Sequence, residues 1–232
     1  INAAGRMGSA ERAIKLLLTD DSEEASLLAS EISEANSERQ STESGITEFA
    51  EKYIESHPEI KFSKVIVVDG ENWHQGVIGI VASRLCEKYG KPCIVISKSG
   101  DVAKGSGRSI DGFSLYDALS FCKDILVQYG GHKLAAGLTV ETDKIDEFRK
   151  RINEYAETLE DILPVLKLDC KLNPASINLE MLSVLNILEP FGAENPQPLF
   201  GLFNMKITGI QPVGSNKHIR LTVNKNGVSL PV

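Results

Sequence analysis

Apolar and polar residues alternate at helical spacing through the first quarter of the chain. Residues 10–19 predict a short helix, and Asp21 followed by Glu24 is typical of a capping box that begins a longer one. From Ser22 to Ser56 there is no proline and a single glycine, and His57-Pro58 ends the pattern. At ~1.5 Å per residue, a helix of this length would extend ~50 Å.

One face of this long helix follows a strict 3-4 spacing that is apolar at both ends and polar at Arg39 and Thr42. A coiled coil would keep the stripe apolar throughout. We therefore predict a connecting helix over 21–57 that buries its two ends in different globular bodies. Its waist, the middle part around Arg39 and Thr42, would then lie in water. An edge helix that belongs to one domain is the alternative.

The middle of the chain alternates β-branched runs with helical segments. Buried strands at 64–68 and 93–97 flank a helix at 76–89, which predicts a βαβ unit with parallel strands and a right-handed crossover. A compact α/β domain is expected over roughly 60–163. Its remaining elements are predicted helices at 114–129 and 143–162 and a predicted strand at 137–142.

The pattern changes after residue 163, where short alternating strands follow one another. We predict a half-exposed strand at 166–172, a helix at 177–188, and strands at 199–210 and 218–223 that are joined by a turn around 214–216. Several short strands favour a small barrel, and the chain ends before such a barrel would close.

Charge is distributed unevenly. The formal net charge is −7, and residues 1–62 carry all of it, with 13 Asp/Glu against 6 Lys/Arg. An acidic average argues against nucleic-acid binding, but no acidic residue follows Glu194, and this distribution favours binding at the C-terminal end. The cations that remain there are Lys206, Lys217, Arg220 and Lys225.

No apolar run approaches the ~20 residues that a membrane span needs. The four cysteines show no CxxC pair and no histidine at metal-finger spacing, so we expect free thiols in a reducing cytoplasm. Because the chain opens on Ile1 and stops just after a predicted strand, we expect both ends to lie inside a longer protein.

Two small-residue segments carry the candidate chemistry. GGHKLAAG at 130–137 places His132 and Lys133 among three glycines and two alanines, which lets a ligand approach the backbone closely. GSGRS at 105–109 offers amides, hydroxyls and the Arg108 guanidinium, which suit a phosphate. The competing interpretation is a helix stop followed by a packed strand, with Arg108 a solvated loop charge. The pair of segments favours a phosphate site.

Two further regions are candidates for anion binding. A helix that begins near His74 would offer free amides to an anion, and Arg84 would lie two turns into it. For His74, a structural hydrogen bond and a ligand contact are both open. In the C-terminal region, Phe200 and Phe203 beside the cations favour a single-strand groove, with a hydrophobic barrel core as the alternative.

Asp69, Glu71 and His74 form one tempting metal cluster. Asp69 and Glu71 flank Gly70 in a predicted turn, so their side chains need not converge, and the other histidines are scattered along the chain. We therefore expect no metal site here, and Asp69 is predicted to be a hydrogen-bonding residue at the strand end.

GGHKLAAG and GSGRS resemble the accessory domain that follows the DHH phosphoesterase domain in RecJ single-strand DNA exonucleases. Three more segments resemble the same family, namely INAAGRMG at 1–8, NWHQGVIGIVASR at 72–84 and LEPFGAENPQPLF at 188–200. The resemblance covers essentially the whole chain. It implies an α/β accessory domain with a long N-terminal connecting helix, followed by a partial OB-like barrel over 164–232.

The resemblance also implies roles for residues. It assigns 1–20 to the end of the DHH catalytic domain, which places Arg6 near the site, and it assigns Arg84, Ser106 and Arg108 to the channel that receives the 5′ end of a single DNA strand. The aspartates and histidines that hold metals in the family are missing. Manganese or magnesium would therefore belong to the full-length enzyme, with none bound by this part.

We predict that the chain is the substrate-binding part of a cytoplasmic 5′→3′ single-stranded DNA exonuclease that acts in DNA repair and recombination, with single-stranded DNA as partner and no membrane. No catalytic residue is expected within it. The alternatives are a DHH-family phosphoesterase acting on short oligonucleotides or cyclic dinucleotides, and a nucleic-acid-binding module without an enzyme. The expected nucleic-acid contacts are Arg6, His74, Arg84, Ser106, Arg108, His132, Lys133, Lys206, Lys217 and Arg220.

Overall fold

The structure is a computed structural model that describes residues 1–161, 165–214 and 218–232. Contacts between residues divide the chain into two compact units, Ile1–Leu163 and Pro164–Val232. In the described part of the chain, every helix is too short or too polar to cross a lipid bilayer.

The N-terminal helices include the predicted long helix with its predicted bounds. They are α1 (Asn2–Met7), α2 (Glu11–Leu18), α3 (Ser22–Ser56) and α4 (Pro58–Lys61). Asp21 is the N-cap of α3, and its Oδ1 accepts hydrogen bonds from the backbone nitrogens of Glu23 at 2.8 Å and Glu24 at 3.3 Å. The other half of the capping box does not form, because the Glu24 carboxylate accepts from Thr19 Oγ1 instead, at 2.5 Å.

The waist of α3 is covered, so the prediction that it lies in water is wrong. The Arg39 side chain is 16% exposed, and that of Glu43, one turn further along, is 1% exposed. The two form an ion pair, and Glu43 also contacts Arg84 of a neighbouring helix. Polar residues tolerate burial here because they are paired with one another.

A five-stranded sheet with strand order β1-β2-β3-β5-β4 forms the centre of the larger unit. The strands are β1 (Ile66–Glu71), β2 (Cys93–Ser99), β3 (Val102–Arg108), β4 (Leu126–His132) and β5 (Ala135–Glu141). β1 and β2 are parallel and are joined through α5 (Gln75–Tyr89), which confirms the predicted βαβ unit. The other neighbouring strands in this sheet pair antiparallel.

Different helices cover the two faces of this sheet. On one face, α3 and α5 pack against β1 and β2 through buried residues such as Val81 and Val95. On the other face, α6 (Leu115–Phe121) and α7 (Ile145–Glu157) pack against β2, β3 and β5 through residues such as Ile96, Leu138 and Phe148. The buried cluster that contains Val81 and Val95 includes residues of β1 and β2. The cluster on the other face includes residues of β1, β2, β3 and β5, and the partly buried Leu126 and Tyr129 of β4 pack against it.

The helix predicted over 114–129 is wrong in its second half. α6 ends at Phe121, a 3-10 turn covers Lys123–Ile125, and β4 then pairs with β5. Leu126 and Tyr129 can reach the core from a strand as well as from a helix, so pairing with β5 decides the structure. The helix predicted to reach 162 ends at Glu157.

The segment GSGRS lies mostly in β3, so Arg108 is not the solvated loop charge of the competing interpretation. Gly105 and Gly107 face the core, where a Cβ atom would come within 3.1 Å of Ile96 and Ile94 respectively. The two glycines therefore leave room for tight packing, and they are not there to make a flexible loop.

The smaller unit contains sheets that are not closed into a barrel, in agreement with the predicted partial barrel. β8 (Lys206–Val213), β9 (His218–Lys225) and β10 (Val228–Pro231) form an antiparallel sheet, and β6 (Cys170–Lys171) pairs parallel with β7 (Phe200–Gly201). The predicted helix is α8 (Leu179–Leu185) followed by a 3-10 turn, Asn186–Leu188. The predicted strand at 166–172 is shorter than expected, and the one at 199–210 is split in two. Of the predicted turn at 214–216, residues 215 and 216 lie outside the described residues.

The four cysteines form no disulfide within the described residues, as predicted. Cys86, Cys93 and Cys122 are buried, and burial raises the pKa of each thiol, for Cys122 to about 11. Thiols of this kind pack as small apolar side chains and are poor nucleophiles.

Candidate nucleic-acid interface

Arg108 lies at the end of the central strand β3, with its side chain partly buried. Its Nη1 donates to the carbonyl oxygen of Gly107 at 2.7 Å and to Oγ of Ser106 at 3.3 Å. Both acceptors are uncharged, so they orient the guanidinium without neutralising it. Among the described residues, Nε and Nη2 make no hydrogen bond.

Gly79 lets α5 approach this pair of side chains closely. A Cβ atom on Gly79 would lie 3.0 Å from Oγ of Ser106 and 3.1 Å from Nη2 of Arg108. Burial, followed by the positive charge of Arg6, lowers the pKa of Arg108. The guanidinium stays charged nevertheless, and a partly desolvated cation beside a second cation favours a bound anion.

Arg6 supplies that second charge from α1. Its Nη1 lies 3.4 Å from the carbonyl oxygen of Gly76, and a Cβ atom on Gly76 would come within 2.1 Å of the Arg6 carbonyl oxygen. The start of α5 is therefore packed directly against α1. Within residues 1–161, the arginines that pair with carboxylates are Arg12, Arg39, Arg84, Arg149 and Arg151, and neither Arg6 nor Arg108 is among them.

Next to Ser106 the sheet presents a surface with almost no side chains. The register places Ser106 opposite Gly137 and Gly137 opposite Gly130, so the three residues share one face. Both glycines are exposed, and a Cβ atom on Gly130 would meet no atom within 4 Å. We call this row Ser106–Gly137–Gly130 the glycine floor; it leaves space for a polymer backbone beside Arg108.

His132 and Lys133 lie at the tip of the β4–β5 hairpin, so the prediction that they follow a helix end is wrong. Gly131 has a φ of 141°, and a Cβ atom there would lie 2.4 Å from the Ala135 carbonyl oxygen, so glycine is needed for this turn. His132 Nδ1 accepts from the backbone nitrogen of Leu134 at 3.3 Å. The register places His132 and Arg108 on either side of Ala135, on the same face as the glycine floor.

His74 has a structural partner. It is the N-cap of α5, and its Nδ1 accepts a hydrogen bond from the backbone nitrogen of Gly76 at 3.1 Å. This contact fulfils the structural alternative for His74, whose side chain is also exposed. The ring of the neighbouring Trp73 packs against Gly70, where a Cβ atom would come within 2.2 Å of it. Trp73 therefore packs against the core as a structural aromatic residue.

Arg84 contacts a buried carboxylate. Its Nε lies 2.5 Å from Oε1 of Glu43, out of line for a hydrogen bond, and its side chain is 55% exposed. The contact holds one edge of the guanidinium by charge. The sequence did not identify Glu43 or Gly79, although a charged residue within an apolar helix stripe was a usable signal for the buried Arg39–Glu43 pair.

A cavity of about 650 Å³ opens between α1, α2, α3 and α5. Arg6, Asn36, Arg39 and Ile80 contribute to its lining. The structure thus brings Arg6 and Arg39 to one concave surface, while Arg6 is also close enough to influence Arg108. Arg6 therefore connects Arg39 on one side with Arg108 on the other.

In the smaller unit, Lys206 and Arg220 lie on the same face of the antiparallel sheet. Lys206 is opposite Asn224, four residues after Arg220 along β9, a separation of roughly 13 Å. Both side chains are exposed, and Lys171 Nζ lies 5.3 Å from the centre of the Phe203 ring. Lys217, the third predicted cation, lies outside the described residues.

Comparisons with known proteins find similarity in both units of the chain. A model of the DHHA1 domain matches residues 62–158, and a model of the RecJ OB domain matches residues 168–232. The single-stranded-DNA-specific exonuclease RecJ of Bacillus subtilis is 39% identical over 236 residues, which cover 99% of this chain and 30% of the relative. That of Escherichia coli is 34% identical over 237 residues, which cover 92% of this chain and 41% of the relative.

A solved structure shows the same architecture. The crystal structure of RecJ in complex with Mg²⁺ from Thermus thermophilus matches all of this chain and 36% of its own, with a TM-score of 0.85 and 33% sequence identity. The chain belongs to the RecJ family. It comprises a DHHA1 domain and part of a RecJ OB domain, and it spans about 30–41% of the length of these curated relatives.

The RecJ structures from Thermus thermophilus carry Mg²⁺ or Mn²⁺, and the candidate metal ligands in this chain are Asp69, Glu71 and His74. Asp69 does not fit, because Arg149 Nη2 lies 2.6 Å from its Oδ1 and Lys98 Nζ lies 2.9 Å from its Oδ2. His74 Nδ1 is occupied by the cap of α5. Within the described residues, no group of three or more His, Cys, Asp or Glu side chains converges as a metal site would require. Asp69 is the strand-end hydrogen-bonding residue that the sequence predicted.

Proposed function

We propose that the chain is the single-strand-binding part of a 5′→3′ DNA exonuclease of the RecJ family, and that it positions the 5′ end of the strand. The relatives are named as single-stranded-DNA-specific exonucleases, which supports the substrate. The contact with the 5′ end is supported by the geometry around Arg108. The proposal includes a cytoplasmic enzyme that acts in DNA repair and recombination.

The observation that carries the proposal is the uncompensated guanidinium of Arg108. Ser106 and Gly107 fix its orientation, Gly79 allows α5 to lie against it, and Arg6 adds a second positive charge. A terminal phosphate monoester carries more negative charge than an internal diester and offers three oxygens to such donors. This site is therefore suited to the 5′ phosphate.

The glycine floor supplies the path for the rest of the strand. Because Gly130 and Gly137 carry no side chains, the sugar–phosphate backbone can lie close to the sheet, with His132 and Lys133 at its margin. Further along the chain, Lys206 and Arg220 share one face of the OB domain and would contact the backbone by charge, as single-strand-binding grooves do.

Metal-assisted hydrolysis belongs, in this proposal, to another part of the complete protein. Magnesium or manganese would activate water and stabilise the phosphoryl oxygens there. The residues of this chain would bind the strand, orient its 5′ end and hold it still. The match to an OB domain also favours this function over an enzyme for cyclic dinucleotides, because a small substrate needs no groove for a long strand.

The test is Arg108→Ala, measured by the fluorescence anisotropy of short single strands with a 5′ phosphate or a 5′ hydroxyl. A charge-assisted contact contributes roughly 1.5–3 kcal/mol, so the variant should lose about tenfold or more in affinity for the phosphorylated strand and much less for the hydroxyl strand. Arg151→Ala is the matched control, because Arg151 lies on α7 across the sheet. Equal losses for both strands would reduce Arg108 to a general backbone contact.

A further inference from the structure

We propose that Glu43 is a positioning residue, which holds Arg39 and Arg84 so that they contact a phosphate of the bound strand other than the terminal one. This inference rests on the proposed function, because it assumes that the concave surface next to Arg6 receives a single strand. It adds Arg39 to the contacts expected from sequence and gives the buried carboxylate a role.

The burial of Glu43 requires an explanation. Its side chain is 1% exposed on a helix face that is otherwise lined by Ile46, Ala50 and Ile54. An apolar side chain of similar volume would serve packing alone as well or better, because a buried ion pair rarely repays its desolvation. Glu43 Oε1 and Thr47 Oγ1, one turn apart, are both buried without a hydrogen-bond partner among the described residues. Packing alone therefore does not account for a carboxylate at this position.

Arg39 is held from two sides. Its Nη1 pairs with Oε2 of Glu43, while Nε and Nη2 lie 3.4 and 3.3 Å from Oδ1 of Asn36. Arg39 and Asn36 both line the cavity of about 650 Å³ that Arg6 also lines. The guanidinium is thus fixed at the surface where Arg6 adds a second positive charge.

Arg84 is held by one edge only. Its Nε lies 2.5 Å from Oε1 of Glu43, and 55% of the Arg84 side chain is exposed, so part of the guanidinium stays accessible. Ile80, one turn earlier on α5, lines the same cavity as Arg39. A single carboxylate therefore orients two arginines from two helices and neutralises only one of their charges. The remaining positive charge is available to a phosphate.

The charge-removing substitution Glu43→Gln distinguishes two possible roles of Glu43, because they predict opposite changes in the affinity for a single strand. If Glu43 only adds negative charge near the strand, its removal should tighten binding. If Glu43 positions the arginines, Glu43→Gln should weaken binding of a 5′-hydroxyl single strand by about tenfold, and should reduce the slope of log K against log salt by about 0.7, the value for one lost phosphate contact. Glu38→Gln is the matched control, an exposed glutamate on the same helix, and should not weaken binding.

A double-substitution cycle tests whether Glu43 acts through Arg84. Once Arg84→Gln has removed the contact, adding Glu43→Gln should cost less than it does alone, by at least threefold in affinity. Additive losses would mean that Glu43 acts elsewhere and would overturn the proposal for Arg84. Unfolding curves from circular dichroism establish that each variant is folded at the assay temperature.

Arg84→Lys keeps the proposal testable if Glu43→Gln does not fold. Lysine retains the charge but cannot present two terminal donors while a third faces Glu43. The proposal predicts that Arg84→Lys loses most of the contact, and a wild-type slope would overturn it. Arg108→Ala is measured beside these variants with 5′-phosphorylated strands. A loss there without any effect of Glu43→Gln rejects only the role of Glu43, whereas no loss at Arg108 rejects the proposed function.

Discussion

Small residues at helix–strand contacts decide where the guanidinium of Arg108 can lie. Gly79 is an interior helix residue, where glycine costs up to about 1 kcal/mol relative to alanine. Glycine nevertheless occurs at position 79, because a Cβ atom there would come too close to the side chains of Ser106 and Arg108. Gly45, also inside a helix, has no such neighbour, since a Cβ atom there would meet nothing within 4 Å. The two glycines therefore form a matched pair.

Gly79→Ala is expected to separate binding from stability. The added Cβ would lie 3.0 Å from Ser106 Oγ and 3.1 Å from Arg108 Nη2, so the guanidinium must shift, while the helix gains propensity. We expect the free energy of unfolding to change by less than about 1 kcal/mol, and the preference for 5′-phosphorylated over 5′-hydroxyl strands to fall. Urea denaturation and anisotropy titrations measure the two quantities.

Gly45→Ala provides the control for that substitution. It should raise the free energy of unfolding by roughly 0.5–1 kcal/mol through helix propensity alone and leave strand binding unchanged. If Gly79→Ala retains the full preference for a 5′ phosphate, the close approach of α5 is a packing feature without a role in recognition.

The long helix α3 could be predicted from the sequence, whereas the strand β4 could not. Asp21, the uninterrupted run to Ser56 and Pro58 were sufficient to predict α3 with its bounds, because caps and breakers act locally. β4 was not predictable in this way. Leu126 and Tyr129 fit a helix or a strand, and only the pairing with β5, distant interactions that local patterns do not contain, selects the strand. His132 and Lys133 were therefore found as candidates but placed at the wrong kind of turn.

The exposed cations on one face of the β8–β9 pair are expected to make the affinity for single strands depend on salt concentration. Lys206 and Arg220 share a face, and each cation that neutralises a phosphate contributes about 0.7 to the slope of log K against log salt for single strands. Replacing both with glutamine should reduce the slope by up to about 1.4 with little change in unfolding. Salt titrations of a strand of about 16 nucleotides, long enough to occupy one OB fold, would measure it.

Lys225 is the matched control within the same strand. It lies an odd number of residues from Arg220, so it projects from the opposite face, and its Nζ donates to the carbonyl oxygen of Phe203 at 2.7 Å. Lys225→Gln should leave the slope unchanged. A double variant of Lys206 and Arg220 that keeps the full slope would favour the alternative that these cations only solubilise the OB domain.

At the scale of the whole molecule, sequence reasoning identified the family and most of the cations, but it did not identify the contacts that hold these cations in place. Arg108 and Ser106 were predicted because they stand in a segment of small residues, and the family resemblance identified Arg6 and Arg84. The contacts of Gly79 and Glu43 depend on how α3 and α5 pack against one another and against β3. Such contacts join residues far apart in sequence, so no local pattern contains them.

Because the proposed enzyme binds its metal ions in another part of the complete protein, we predict that this chain alone does not cleave DNA. Metal-assisted hydrolysis needs ligands that hold one or two cations and leave a position open for water. Asp69, the carboxylate at the end of β1, is bound by Arg149 and Lys98 at 2.6 and 2.9 Å. Each of its oxygens is thereby paired with a cationic donor, as expected for a structural residue.

The experiment incubates the purified chain with manganese or magnesium and 5′-labelled single strands, beside a full-length RecJ relative as the positive control. We expect binding without release of mononucleotides. Asp69→Ala should lower the free energy of unfolding by roughly 1–3 kcal/mol, because two partly buried cations each lose one of their carboxylate partners, and Arg149 keeps only Asp146 and Lys98 only Glu71. Manganese-dependent release of mononucleotides by the chain, abolished by Asp69→Ala in a protein that remains folded, would place catalysis at the end of β1 and contradict the assignment of hydrolysis to another part of the protein.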